Sequence, residues 1–307
     1  MTVTIVGNHR CLLHDMGKEH PETPARLHQI NDQMISSGLE YVLRFADSQP
    51  IDRDLITLAH DKAFVDNVFE KAPTEKDERT WIDEDTIFMD KSLDAALYAA
   101  GAVVDAVNLV MEEKTTSAFC SVRPPGHHAK KASSAGFCVF NNVAIGAKYA
   151  LEKLNLKRVA IIDFDVHHGD GTQDIVLDDE RIMFCSSFQH PYYPFCGDEE
   201  ARSDIVNVPL PAGTKGKEYR ELVSHWFTRL DEFKPELIFI SAGFDAHAED
   251  DMGYVMLTES DYIWLTEEIK KIADKHCAGK IVSVLEGGYA LSALGRSVVA
   301  HVKALTG

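Results

Sequence analysis

The 307 residues are 45% hydrophobic and 26% charged, enough for a sizeable core in one large α/β domain or two smaller ones. A net charge of −18 argues against direct nucleic-acid binding, because phosphates repel such a surface, and it would attract a cationic substrate or partner. The six cysteines form no Cys-x-x-Cys pair, and MTVTIVGNHR lacks a basic region followed by an apolar one, so a reducing cytoplasm is expected.

Thr2–Val6 alternates toward a first strand. His9–His20 is polar and irregular, with His14 at a loop rim, and Pro24 then suits the first turn of a helix through about Ser37. Leu55–His60 is a short apolar run ahead of a helical pattern from Asp61 to about Lys71. Ala72–Asp90 is charged and aperiodic and reads as a loop. Ser92 to about Glu113 is a long helix. Its apolar segment Ala95–Met111 is 17 residues long and contains Asp105, so it reads as a buried helix and no membrane span is expected. Ala118–Val122 is a strand that runs into Arg123-Pro124-Pro125-Gly126, necessarily a loop.

Asn141–Leu154 reads as a helix, Arg158–Ile162 and Ile182–Ser187 as strands, and His190–Asp198 as a Pro- and aromatic-rich loop. Ile205–Leu210 is extended, Lys215–Phe233 helical, and Leu237–Ala242 a strand ending in Gly243-Phe244-Asp245. Thr258-Glu259-Ser260-Asp261 resembles a capping box that opens a helix to about His276. Ile281–Leu285 is the last strand, before Glu286-Gly287-Gly288-Tyr289 and a final helix. About eight strand candidates alternate with helices, without repeat or linker. The pattern predicts one domain over residues 1–307: a three-layer α/β/α arrangement around a mainly parallel sheet.

The organising stretch is Arg158–Thr172, RVAIIDFDVHHGDGT. A greasy strand gives way to Asp163, Asp165, His167, His168 and Asp170. Side chains alternate along a strand, so Asp163, Asp165 and His167 share a face if the extended backbone persists. Ligands of an open parallel sheet bind beyond the carboxyl ends of its strands. Four such ends carry polar groups here: His127-His128 after the Pro-Pro-Gly turn, the Asp163–Asp170 run, Asp245, and Tyr289.

Asp165, His167 and Asp245 would give a metal one nitrogen and two oxygens and leave a position for water, as catalytic zinc requires. Iron(II) or cobalt would fit the same donors. Asp163 and Asp170 are then free to hold one histidine each, which fixes the tautomer and raises ring basicity. One histidine could take a proton from a water activated at the metal. A Tyr289 hydroxyl could donate to a developing oxyanion, and the preceding glycines let the backbone come close. Gly136-Phe137 and Tyr192-Tyr193-Pro194 offer aromatic walls for a narrow pocket, with Met252 at its mouth.

Taken together, HPETPARL, RPPGHHA, GFCVFNN, DFDVHHGDGTQ, SAGFDAH and LEGGY resemble, in order, the zinc-dependent histone deacetylase family of the arginase–deacetylase fold, most closely its class II and bacterial branch. The resemblance implies one zinc on Asp165, His167 and Asp245, with His128 as general base and acid. It implies electrostatic assistance from His127, support of the two histidines by Asp163 and Asp170, and a carbonyl-polarising Tyr289. It also implies that Phe137 and Tyr193 line an acyl-lysine tunnel and that Arg26 lies near the acetate exit. A structural potassium ion would sit near Asp163, Asp165, His167 and Ser186. Three positions depart from common patterns: Thr23, the Ser187-Phe188-Gln189-His190 spacing, and Asp170, where animal class II members often carry Asn.

The implied substrate is acetyl-lysine in a protein or peptide, or a small acetylated polyamine. Polyamine-selective members place an acidic gatekeeper near Met252, so an apolar Met252 favours acetyl-lysine. Glu249, Asp250 and Asp251 beside it leave that alignment open to a slip. A dimanganese ureohydrolase of the same fold would need further bridging carboxylates, where His168 stands. A non-enzymatic scaffold would be expected to have lost a ligand or the tyrosine. Self-association is left open.

Overall fold

The computed structural model describes residues 2–76, 78–199 and 202–307. Its strands are β1 (Val3–Gly7), β2 (Arg44–Asp47), β3 (Arg79–Trp81), β4 (Ile87–Met89), β5 (Ser117–Cys120), β6 (Val159–Asp163), β7 (Ile182–Gln189), β8 (Ile205–Leu210), β9 (Leu237–Ala242) and β10 (Ile281–Leu285). The helices are α1 (Ala25–Ser36), α2 (Arg53–Ile56), α3 (Lys62–Lys71), α4 (Ser92–Met111), α5 (Asn142–Glu152), α6 (Asp170–Val176), α7 (Gly216–Val223), α8 (His225–Phe233), α9 (Glu259–His276) and α10 (Leu291–Thr306).

Eight strands pair in the order β2-β1-β5-β10-β9-β6-β7-β8, every pair parallel. Strands β5, β6, β7, β9 and β10 are buried along their whole length, as a sheet covered on both faces requires. Helices α4 and α5 pack together in one layer; α1, α10, α9 and α8 form the other, each touching the next. Helix α4 is apolar enough by length and composition to cross a membrane, but Ala95, Ala99, Val103, Ala106 and Val110 are buried against the sheet and α5.

The chain moves outward from β6 through β7 to β8, then returns to lay β9 on the other side of β6. That reversal opens a crevice beyond the carboxyl ends of β6 and β9, where such sheets bind ligands. Asp163, Asp165 and His167 leave β6 there, and Asp245 follows β9.

Several local expectations change. The short apolar run Leu55–His60 begins in a helical turn, Arg53–Ile56, and one sheet edge is the polar, exposed Arg44–Asp47, which has no apolar alternation to betray it. Ala72–Asp90 is not all loop: Arg79–Trp81 and Ile87–Met89 form an antiparallel hairpin anchored by the buried Phe88. Strands of three residues carry too little pattern to be read. The Lys215–Phe233 helix divides at Ser224, whose hydroxyl donates back to the Glu221 carbonyl at 2.8 Å and competes with the helical ladder. His14 lies in the interior against Ser92, not at a rim. The expected capping box is present: Thr258 caps α9, and Asp261 at N3 bonds back to the Thr258 amide.

Candidate active site

Asp165, His167 and Asp245 each turn one ligand atom into a buried cluster in which these atoms lie within 4.8 Å of one another. His167 Nδ1 stands 3.0 Å from Asp165 Oδ1 and 3.3 Å from Asp245 Oδ2. Two glycines make the carboxylates accessible: a Cβ at Gly243 would collide with Asp165, and one at Gly287 with Asp245.

Charge in this cluster is unbalanced. Burial pushes the Asp245 carboxyl up to about 7, and the Asp165 charge adds to that push. Burial also opposes a charge on His167, yet its bond to Asp165 and the charges of Asp245 and Asp165 override it and hold that ring up at about 10. Asp245 Oδ2 is buried and accepts no hydrogen bond among the described residues. An orphaned carboxylate oxygen, a second carboxylate and an imidazole fit a divalent cation with N/O preference. No other group of three such donors occurs among the described residues. His168, where a two-metal site would want a carboxylate, instead bonds Ser186 Oγ at 3.0 Å and Gln173 Oε1 at 3.1 Å.

His127 and His128 sit on the loop after β5, their rings 4.0 Å apart. Glu286 holds that loop from below: its Oε2 accepts the Gly126 and His127 amides at 2.7 and 3.1 Å, and its Oε1 accepts Ser241 Oγ at 3.1 Å. His127 Nδ1 meets Asp163 Oδ2 at 3.0 Å, and His128 Nδ1 meets Asp170 Oδ1 at 2.7 Å. Burial opposes protonation of His127, but the Asp165 and Asp163 charges raise it well above the ordinary imidazole range. For His128, burial and then the neighbouring His127 charge lower the ring to about 4, against the pull of Asp170. Burial also works against an ionised Asp170, but His128 and Lys130, whose Nζ lies 2.9 Å away, hold it down at about 2. Ionised Asp170 therefore fixes the proton of neutral His128 on Nδ1 and leaves Nε2 as a free base.

These groups open into a cavity of about 380 Å³. His127, His128, His167, Gly287 and Tyr289 form its floor. Gly136, Phe137, Tyr192, Tyr193 and Met252 make the walls, and Asp85 and the exposed Phe195 complete the lining. Tyr193 meets His128 edge-on at 5.1 Å, and Tyr192 stacks on His167 at 5.9 Å. Phe137 is held at φ 67°, a left-handed conformation that costs a non-glycine residue about 1–3 kcal/mol. The hairpin turn between β3 and β4 clamps it, with Asp85 Oδ1 accepting the Gly136 amide at 3.0 Å and Thr86 Oγ1 accepting the Phe137 amide at 3.1 Å. Asp85 and Thr86 lie inside the stretch read as loop, where no local signal marks them.

Tyr289 lies half-buried 6.1 Å from the Phe137 ring, with the Arg26 guanidinium 4.9 Å from its own ring centre. Burial raises the phenol well above its usual range, though Arg26 opposes this, so the hydroxyl stays a proton donor. Arg26 does not line the cavity. It is fully buried behind Tyr289, donates to the carbonyls of Glu286 and Gly288, and pairs with Glu22, which also binds Arg123. Ser186 faces Asp163 across the β6–β7 register. Met252 lines the cavity, whereas Glu249 pairs with Arg296, Asp250 is buried and Asp251 is exposed.

A family model for the histone deacetylase domain matches residues 20–305. The chain belongs to the histone deacetylase family. A "probable deacetylase" of Archaeoglobus fulgidus is 37% identical over 300 residues, covering 95% of this chain and 82% of its own. The chloroplastic histone deacetylase 14 of Arabidopsis thaliana is 35% identical over 94% of this chain and 74% of its own. Among solved structures, the HDA15 HD domain superposes with a TM-score of 0.91 at 30% identity, covering 99% of this chain and 88% of that one. The family and the α/β/α fold expected from the motifs are thus established, and the chain is a hydrolase of this deacetylase family.

Proposed function

We propose that this chain is one catalytic domain that hydrolyses the acetyl amide of acetyl-lysine in peptides or proteins and releases acetate. The observation that carries the reading is the convergence, at the floor of one narrow aromatic cavity, of an orphaned metal-ligand oxygen, a free histidine base and a protonated tyrosine. Asp165, His167 and Asp245 would hold one zinc, or iron(II) or cobalt, and a cation there supplies Lewis acidity to the carbonyl and to water.

The protein's own groups account for the rest. Phe137 and Tyr193 hold an extended acyl-lysine stem and exclude bulk water. His128 Nε2 takes a proton from the attacking water as its oxygen bonds to the carbonyl carbon. The Tyr289 hydroxyl donates to the oxyanion that forms. As the C–N bond breaks, His128 returns that proton to the amine. His127, kept cationic by Asp163 and Asp165, lowers the cost of the negative charge. A potassium ion beside Asp163, Asp165, His167 and Ser186 would brace the same loop; the paired positions of Asp163 and Ser186 support that placement.

Met252 supports acetyl-lysine over acetylpolyamine, because the three acids beside it turn elsewhere. Asp85 in the cavity lining and the net charge of −18 favour the polyamine as the second reading. All six cysteines are free, five of them buried, which supports a reducing compartment such as the cytoplasm. The deciding experiment compares kcat/KM on an acetyl-lysine peptide and on an acetylated polyamine with zinc-loaded protein. A peptide preference upholds the proposal. A polyamine preference retains the mechanism and overturns the substrate, and turnover of neither overturns both.

A further inference from the structure

Asp250 follows the third metal-ligand position in chain order but makes no part of that cluster. Its side chain is 5% exposed, and no lysine, arginine or histidine pairs with it among the described residues. The carboxylate is spent on the backbone. Oδ2 accepts the amides of Tyr289 at 2.6 Å and Ala290 at 2.8 Å, and Oδ1 accepts the amide of Met252 at 3.0 Å. A buried carboxylate accepting several backbone N–H groups forms charge-assisted bonds, about twice as strong as neutral ones. One side chain thus ties the loop bearing the cavity-wall Met252 to the loop bearing the tyrosine.

The tyrosine loop is held on its other side as well. The Gly287 amide donates to Asp165 Oδ2 at 2.8 Å, the Gly287 carbonyl accepts from Phe244 at 3.0 Å, and Arg26 takes the Gly288 carbonyl at 2.7 Å. Those bonds stop at Gly288. The amide of Tyr289 itself is bonded by Asp250, so the direction of the phenol depends on that carboxylate. Placement errors of about 1 Å at a reacting centre can cost a hundredfold.

We propose that Asp250 is a positioning residue: it sets the Tyr289 hydroxyl over the carbonyl oxygen and couples that placement to the Met252 wall. The inference rests on the deacetylase reading above and adds a residue outside the reacting set. Asp250→Asn keeps the side-chain volume but puts an N–H donor against one set of backbone N–H groups, so the Met252 and tyrosine loops can no longer both be satisfied. If Asp250 acts through Tyr289, its loss is felt at the chemical step and vanishes when the hydroxyl is already gone.

The test is a double-mutant cycle of Asp250→Asn with Tyr289→Phe on zinc-loaded protein, with metal content measured throughout and the exposed Asp251→Asn as control. Asp250→Asn is expected to lower kcat by about tenfold to a hundredfold with KM within about threefold and metal content unchanged. In the Tyr289→Phe background it should cost less than about threefold more. Equal costs in both backgrounds, or a loss confined to KM, would overturn the positioning role. Hydrogen exchange on the unmodified protein gives a second reading that needs neither turnover nor a folded variant: the Tyr289 and Ala290 amides should be protected like the sheet interior. Exchange of these amides at open-loop rates would also overturn the proposal. Protected amides in a protein that turns over neither substrate would locate the failure in the deacetylase reading, and with it the catalytic purpose of the clamp.

Discussion

Asp170→Asn isolates how His128 is used. The 2.7 Å bond from His128 Nδ1 to an ionised Asp170 is charge-assisted, a class whose net worth is about 1.5–3 kcal/mol. At about 1.4 kcal/mol per decade, losing that support for the imidazolium formed during reaction should cost one to two decades in kcat/KM. The sign of the pH effect is also set. Burial and His127 already hold His128 near 4, and Asp170 works in the opposite direction. Removing Asp170 can only lower the ring further, so His128 remains neutral from pH 6 to 9 and the loss must come from orientation and charge support. The assay is kcat/KM from pH 5 to 9 for both proteins at matched metal content. An unimpaired variant would refute the reasoning, and so would a loss caused by the acid limb moving to higher pH.

Other outcomes follow from the same geometry. His128→Ala and Tyr289→Phe should each cost about two or more decades in turnover, read under saturating substrate; near-normal turnover in His128→Ala would remove the proposed base. Asp245→Ala should lose both the metal, by elemental analysis, and activity; full metal occupancy would place the ion elsewhere. Saturating zinc should raise Tm, because it neutralises two buried carboxylates, and an unchanged Tm would contradict the site. His301 is fully buried between Thr266 and Ser283, and burial lowers its ring to about 3. Its folded-state value lies below the ordinary 6.5, so the stability it contributes is complete above pH 6.5 and is lost as pH falls toward 3, by about 1.4 kcal/mol per unit. His301→Gln should flatten the fall in denaturation midpoint between pH 6.5 and 5; an identical slope in both proteins would show that this ring is not the group titrating.

The alternation of buried strands with helices, and the polar residues massed at Arg123–His128, Asp163–Asp170, Asp245 and Tyr289, are local properties. A greasy strand running into acids and histidines declares a parallel sheet and its ligand edge, but β6 ends at Asp163 and the chain bends over residues 165–167, so strand alternation does not carry Asp165 and His167 onto one face; the folded loop brings them together. The sequence by itself therefore determined the architecture and the edge of the sheet at which Asp165, His167, Asp245, His128 and Tyr289, the residues of the proposed site, gather. It could not show that Asp250 turns inward while Met252 faces the cavity, since neighbouring residues in an irregular loop obey no period. Nor could it show that the β3–β4 hairpin clamps Phe137, or that Arg44–Asp47 forms the sheet edge. Those outcomes depend on backbone N–H groups finding acceptors far away in the chain, as the Tyr289 amide does at Asp250, and only the folded structure decides which distant carboxylate is within reach.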